Sequence, residues 1–485
     1  MITALLILLP LVLAALMLFA KPDIAKRLAV GFSLAEVGLF VFATHFFTHH
    51  AKNMTQLNVS WLPFGANFNV GLDGISYVLV LLTVVLVPFI LLTVRSLNYN
   101  SRFYALVFIM QAALIGVFVA RDGFLFYIFW ELALIPIYFI CLAYGDKNRR
   151  IVTLKFFIYT TAGSLLMLVG LLYVYFSTPG EHSFDVQSLY AAGHELSSKE
   201  QTFVFWMIFS AFAIKMPIFP FHTWQPDTYV SAPTQGTMLL SGIMLKMGTY
   251  GMIRWLIPMV PQGYLVSENI VLALCVISVV YASCLALVQT DFKRLIAYSS
   301  IAHVGLIAAG LTSFNLEGIT GGVVQMFAHG ISVVGLFYIA QIIQQRTQTR
   351  TIGAFGGLRT VTPHLAVLFL IILLGSVALP LTNGFVGEFL LITGIFQVNP
   401  WLAGVAGLTV ILGAVYMLRS YQTMMLGNAN LSTTPVYDLD QNETLVLIAC
   451  AFMILFFGIF PSLLTNIITP DVAELMKSFQ EGLIH

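Results

Sequence analysis

The chain has 485 residues, of which 59% are hydrophobic and only 9% charged, with a mean hydropathy of +0.92 and a formal net charge of +1. Soluble domains of this length carry about 25% charged residues, so the composition excludes a water-soluble fold and makes a lipid bilayer the solvent. The near-zero net charge gives no electrostatic footprint for nucleic acid or for an acidic partner.

The N-terminal run MITALLILLPLVLAALMLFA lacks a basic leader and is long enough to cross a bilayer, so it reads as a first spanning helix rather than a signal peptide. Similar runs follow, and the sequence predicts fourteen spans near 2–20, 28–47, 74–94, 103–120, 123–143, 151–176, 202–220, 231–256, 267–289, 295–312, 319–343, 362–397, 400–425 and 443–469. The twelfth is too long for one straight crossing and contains LPLTNGFVGE (379–388), which predicts a broken helix. The expected class is therefore an all-α integral membrane protein. Its expected parts are an N-terminal group over 1–98, five-helix groups over 103–256 and 267–425, and a last span over 443–469.

Thirteen Lys and Arg, Lys293, Arg294, Arg346 and Arg350 among them, fall in the connections after odd-numbered spans. The opposite side holds Lys52, Arg121, Lys199, Arg254 and Lys477. Positive charge stays cytoplasmic, so both termini are expected on the periplasmic side. Cys141, Cys275, Cys284 and Cys450 lie inside apolar runs without a CxxC pair and are expected to be small buried hydrophobes, not a disulfide or a metal site.

The seventh span carries Lys215 beside Pro217 and Pro220, and the twelfth carries Pro380, Gly384 and Glu388. These breaks stand five spans apart, as corresponding positions of two five-helix repeats (spans 4–8 and 9–13) would. Paired broken helices of this kind mark ion-handling sites, although proline kinks also occur for helix packing alone.

Ionisable residues at depth carry the chemical signal: Glu131 (FWELAL), Lys215 (FAIKMP), Lys246 (GIMLKMG) and Glu388 (FVGEFL), joined by His303 and His329. Each charge at the bilayer centre costs about 2.5–3.5 kcal/mol on insertion scales, so the set implies a use. Burial disfavours the charged form of an amine and a nearby carboxylate restores it. Movement of Glu131 relative to Lys215 would thus make the lysine release and rebind a proton. A swing of 4 pKa units, about 5.5 kcal/mol, matches the roughly 4.6 kcal/mol needed to move one proton against 200 mV. The prolines beside Lys215 free carbonyls and leave room for water, which a proton wire requires. Glu36 is read equally well as a structural group satisfying a neighbouring helix, Lys155 and Arg419 as snorkelling cations, and Asp291, Lys293 and Arg294 as an interfacial loop cluster. No phosphate loop, dinucleotide fingerprint, haem CxxCH or iron–sulfur cysteine cluster is present, so uphill transport would draw its energy from a partner or from another ion gradient.

LDGIS (72–76), FYIFWELALIPIYF (126–139), AIKMPIFPFHTWQPDTYVSAPTQG (213–236), GIMLKMGTYG (242–251), DFKRLIAYSSIAHVG (291–305), MFAHGIS (326–332) and NGFVGEF (383–389) resemble the antiporter-like membrane subunits of respiratory complex I, in order and spacing from about residue 70 to 425. The resemblance implies fourteen helices with two inverted five-helix repeats, broken helices 7 and 12, and proton translocation coupled to quinone reduction in other subunits. It also implies a proton relay of Glu131, Lys215, Lys246, His303, His329 and Glu388, with no cofactor or metal in this chain. FMN, iron–sulfur clusters and quinone would sit in partner subunits, and L-type and N-type chains would be neighbours in a bacterial inner membrane. Glutamate at 388, where L-type, N-type and Na+/H+ antiporter relatives generally have lysine, groups the sequence with the M-type chains. A multisubunit Na+/H+ antiporter and a ferredoxin- or hydrogenase-linked relative are the alternatives.

Overall fold

The structure, a computed structural model, describes residues 1–49, 55–95, 99–354, 356–428 and 437–484; Lys52 lies outside them. Helices dominate, because a chain in lipid must satisfy each backbone N–H and C=O within itself. In chain order they are α1 (Ile2–Leu18), α2 (Pro22–Thr48), a two-stranded antiparallel hairpin of β1 (Gln56–Leu62) and β2 (Ala66–Gly71), α3 (Gly74–Leu92), α4 (Ser101–Val119), α5 (Gly123–Tyr144), α6 (Arg149–Ser177), α7 (Val186–Glu195), α8 (Ser198–Lys215), α9 (Gln225–Ser231), α10 (Thr234–Leu239), α11 (Lys246–Gly251), α12 (Pro261–Leu287), α13 (Phe292–Thr312), α14 (Leu316–Thr347), α15 (Pro363–Ser376), α16 (Asn383–Val398), α17 (Pro400–Met425), α18 (Gln441–Ile459) and α19 (Ser462–Ile484).

Asp or Asn caps many of these starts. The Asp73, Asn100, Asp122, Asp291, Asn315 and Asn399 side chains each accept a hydrogen bond from the first-turn backbone N–H groups that the helix leaves unpaired.

Among the described residues, ten helices are long and apolar enough to cross a membrane, and α1, α15 and α16 are shorter apolar helices. The expected count of fourteen differs at identifiable breaks. α8 stops at Lys215, short of the expected residue 220, because Pro217 and Pro220 follow. The expected span 231–256 divides into α10, a π-helical turn over Leu240–Met244, α11 and a second π-helical turn over Met252–Leu256. The twelfth is broken, as expected, into α15 and α16, and in the break Ala378 (φ 54°) and Leu381 (φ 75°) take left-handed backbone. The last ends at Ile459; Pro461 then opens α19, which was not expected. The hairpin and α7 fall in the connections between the expected spans, since neither is an apolar run of membrane length.

The chain forms two compact units: one from Met1–Met216, Ile243–Val271 and Ile467–His485, the other from Pro217–Gly242 and Leu272–Asn466. In the first, α3 and α4 are largely buried, while α2 and α6 turn residues such as Val41, Phe42, Ile151 and Ile158 outward as lipid-facing surface does. In the second, α13 and α14 are almost wholly buried and α17 and α18 face outward. Cys284 departs from expectation: it is exposed on the outer side of α12, whereas Cys141, Cys275 and Cys450 are buried.

Candidate functional site: two buried ionisable clusters

In the first unit, Lys215 is the last residue of α8 and only 2% exposed. Its ammonium lies 5.3 Å from the Trp130 ring centroid on α5, a cation–π contact. Glu131, next in sequence, acts on Lys215 through space without a direct ion pair, and its Oε1 atom is buried without a hydrogen-bond partner. Lys246 opens α11, between the two π-helical turns, and is 1% exposed. Two glycines bring α11 against α8: a Cβ on Gly248 would meet Met216 Cγ at 2.6 Å and the Phe212 carbonyl at 3.0 Å, and one on Gly251 would meet the Phe212 ring at 2.5 Å. Contact this close needs residues without side chains, and it sets the helix bearing Lys246 beside the one bearing Lys215. Glu131, Lys215 and Lys246 therefore share this unit.

The second unit gathers His303, His329 and Glu388. His303 (α13) places Nδ1 3.1 Å from Glu388 Oε1 (α16), although the two are not aligned as a hydrogen bond. Gln325 on α14 donates to the same oxygen at 3.3 Å, and the Glu388 Oε2 atom is buried without a partner. His329, one turn beyond Gln325, lies 3.1 Å from Ser300 Oγ through Nε2, and the two imidazole rings stand 5.9 Å apart. They share a cavity of about 20 Å³ lined also by Ser299, Ser300, Gln325, Ser332 and Ser376. One water needs about 10–15 Å³ and two or more polar partners, so this space suits a single water bridging the histidines. The rise from Gln325 to His329 is one helical turn, and Gly387 beside Gln325 lets α16 approach α14 closely.

A third cluster was not anticipated from sequence, where Arg121 and Arg254 entered only as charges in connections. Asp73 caps α3 through a reciprocal pairing with Ser76 and forms an ion pair with Arg254, with Arg121 at 3.9 Å. Tyr190 donates to the Arg254 carbonyl at 2.5 Å, and the Gly74 N–H donates to Asp471 of α19 at 2.5 Å. Burial pushes the Asp73 carboxyl up, but the Arg254 and Arg121 guanidiniums and the Ser76 hydrogen bonds outweigh it and hold the group below the usual carboxylate range.

The remaining sequence candidates separate. Glu36 is fully buried on α2 with both oxygens unpartnered, which does not fit a role in satisfying a neighbouring helix. Lys155 and Arg419 are exposed. The Asp291–Arg294 stretch docks rather than floats. Lys293 is 5% exposed and donates to the Ala232 carbonyl at 2.8 Å at the end of α9, Arg294 reaches Asp227 at 3.3 Å, and Asp291 pairs with Arg350 at 3.1 Å. Gln325 and Ser300 were missed. Their signal was faint: polar residues one turn from a histidine inside an apolar helix.

A helical membrane chain with buried acid, base and imidazole groups beside broken helices is the class that ion-translocating antiporter-like proteins define. Residues 120–414 match the family described as NADH:quinone oxidoreductase/Mrp antiporter, TM, and the chain belongs to that family. NADH-quinone oxidoreductase subunit M of Rickettsia conorii is 40% identical over 426 residues, which cover 87% of this chain and 85% of the relative. F(420)H(2) dehydrogenase subunit M of Methanosarcina mazei is 38% identical over 497 residues, covering 100% and 98%. A chain of respiratory complex I from Thermus thermophilus with bound NADH shares the structure at a TM-score of 0.91 and 32% identity, over 99% of this chain and 100% of that one.

Proposed function

We propose that this chain is the M-type, proton-translocating subunit of the membrane arm of NADH:quinone oxidoreductase, driven by quinone reduction in partner subunits that hold FMN and the iron–sulfur clusters. Glu131, Lys215 and Lys246 carry protons in the first unit, and His303, His329 and Glu388 carry them in the second. L-type and N-type chains are its neighbours in a bacterial inner membrane, and both termini face the periplasm. The observation that supports this reading most strongly is the placement of Lys215 and Glu388: each is at most 2% exposed, each lies beside a helix break, and each has an ionisable group from another helix acting on it. Buried charge in that setting has no use in a chain that only links other subunits, for which apolar residues pack as well.

The test is NADH-driven proton pumping in inverted membrane vesicles carrying Lys215→Ala, with assembly checked on a native gel. The expected result is an assembled complex in which quinone reduction and pumping fall together at least about tenfold. Full-rate pumping would refute the reading. The full-length similarity to an F(420)H(2) dehydrogenase subunit favours one variation, a different electron donor on the same proton machinery. Comparing NADH with reduced F420 as the donor for the same membranes decides between them.

A further inference from the structure

Lys246 sits between two helix defects, and the second of them is held from outside. In the π-helical turn over Met252–Leu256 the Ile257 N–H donates to the Met252 carbonyl at 3.1 Å, five residues back instead of four. Such turns are rare and are frequent at functional sites, and the extra residue offsets the chain by about 100° from a regular helix. Pro258 follows and has no N–H, so the Arg254 carbonyl, four residues before it, loses its helical partner. Tyr190 of α7 fills that place: its hydroxyl donates to the Arg254 carbonyl, and His194, one turn further on, donates through Nε2 to the Pro258 carbonyl at 2.8 Å. The Arg254 side chain makes the ion pair with Asp73 and lies over the Tyr250 ring of α11, with Cζ 5.9 Å from the ring centroid. Arg254 is thus held by its carbonyl from α7 and by its guanidinium from the start of α3.

Resting on the proposed function, we infer that Arg254 is a positioning residue for Lys246: the Asp73 ion pair and the Tyr190 hydrogen bond clamp the π-helical turn, and the clamp fixes the face on which α11 presents Lys246. α11 is only six residues of regular helix with a π turn on either side, so its rotation is set by whatever fixes those turns. The Gly248 and Gly251 contacts with α8 set how near it lies, but glycines have no side chains to interlock and so leave its rotation free. Each residue by which a π turn migrates along the chain turns the residues it passes by about 100°, enough to carry the Lys246 ammonium away from its place in the first unit. Arg121 approaches the same Asp73 oxygen at 3.9 Å. It belongs to the connection between α4 and α5, so it adds charge to the cluster from outside the turn and provides an internal comparison.

The experiment measures NADH-driven pumping and quinone reduction per assembled complex in inverted vesicles, for Arg254→Met, Arg254→Lys, Tyr190→Phe and Arg121→Met, beside Lys246→Ala. Arg254→Met and Tyr190→Phe should each lower the maximal rate about tenfold or more, as misplacement of a reacting group does, with the KM for quinone unchanged. Arg254→Lys, which keeps the charge that pairs with Asp73, should recover most of the rate, and Arg121→Met should pump near the wild-type rate. Two results would overturn the inference: full rates per assembled complex in both Arg254→Met and Tyr190→Phe, or a loss in Arg121→Met as large as in Arg254→Met. The first would leave the cluster serving folding alone, and the second would make its total charge, not the clamp, the active property. If Arg254→Met fails to assemble, Tyr190→Phe, which keeps every charge, gives the same reading. Should Lys246→Ala pump at the full rate, the proposed use of Lys246 itself fails; if Lys246→Ala is inactive while Arg254→Met and Tyr190→Phe pump normally, only the positioning role is wrong.

Discussion

Asp73 shows how one residue couples backbone, charge and stability. It closes the N-terminus of α3, pairs with Ser76 and neutralises Arg254. Because its carboxyl is held below the ordinary range, its contribution is fully present above the unfolded-state value of about 3.9 and is lost as pH falls below that value through the folded one. Asp73→Ala leaves the partly buried Arg254 guanidinium uncompensated and should cost about 3 kcal/mol at neutral pH. Thermal unfolding of the purified protein checks this, and the gap between variant and wild type should shrink as the buffer is taken into the acid range. Loss of Gln325 should act on chemistry more than on folding. Gln325→Leu removes the donor to Glu388 Oε1 while keeping the volume, so assembly should persist and pumping should fall severalfold, measured against assembled complex. At this scale the sequence was informative where a formal charge interrupts an apolar run, as at Lys215, Lys246 and Glu388. It was silent on Gln325 and Ser300, because neutral polar residues are common in membrane helices and their partners come from other helices.

The helices reveal a second kind of legibility. Proline announced the breaks after Lys215 and before Asn383, since its ring and missing N–H cannot continue a helix. The two π-helical turns around Lys246 had no such marker. Their extra residue per turn shifts which face Lys246 occupies, and nothing in GIMLKMGTYG reports that shift without the neighbouring helix. The amphipathic α19, the short α7 and the hairpin leave no mark in the sequence for a simpler reason: none of them is an apolar run of membrane length. The approach of α11 to α8 makes a separate test. Gly248→Val puts carbon against Met216 and the Phe212 carbonyl, and overfilling of this kind costs about 1–3 kcal/mol. The expected outcome is a lower melting temperature together with pumping reduced beyond the loss of assembled protein, because the helix carrying Lys246 is displaced from the one carrying Lys215. Unchanged pumping per assembled complex would show that this approach serves folding alone.

For the whole molecule, composition alone was enough to place the chain in lipid, and the family resemblance reached the class of machine. The division into two compact units was not legible in span boundaries, since Pro217–Gly242 joins the second unit and Ile243–Val271 returns to the first. Each unit contains its own buried ionisable cluster, so protonation should change at both during turnover. The most direct measurement is the difference infrared spectrum of the assembled complex between resting and turning-over states, wild type against Glu388→Gln. The expected result is a carboxyl band in the wild type that appears or vanishes with NADH and quinone and is missing from Glu388→Gln. Identical difference spectra for the two would mean that Glu388 keeps one protonation state throughout, and would contradict its place in the proton path.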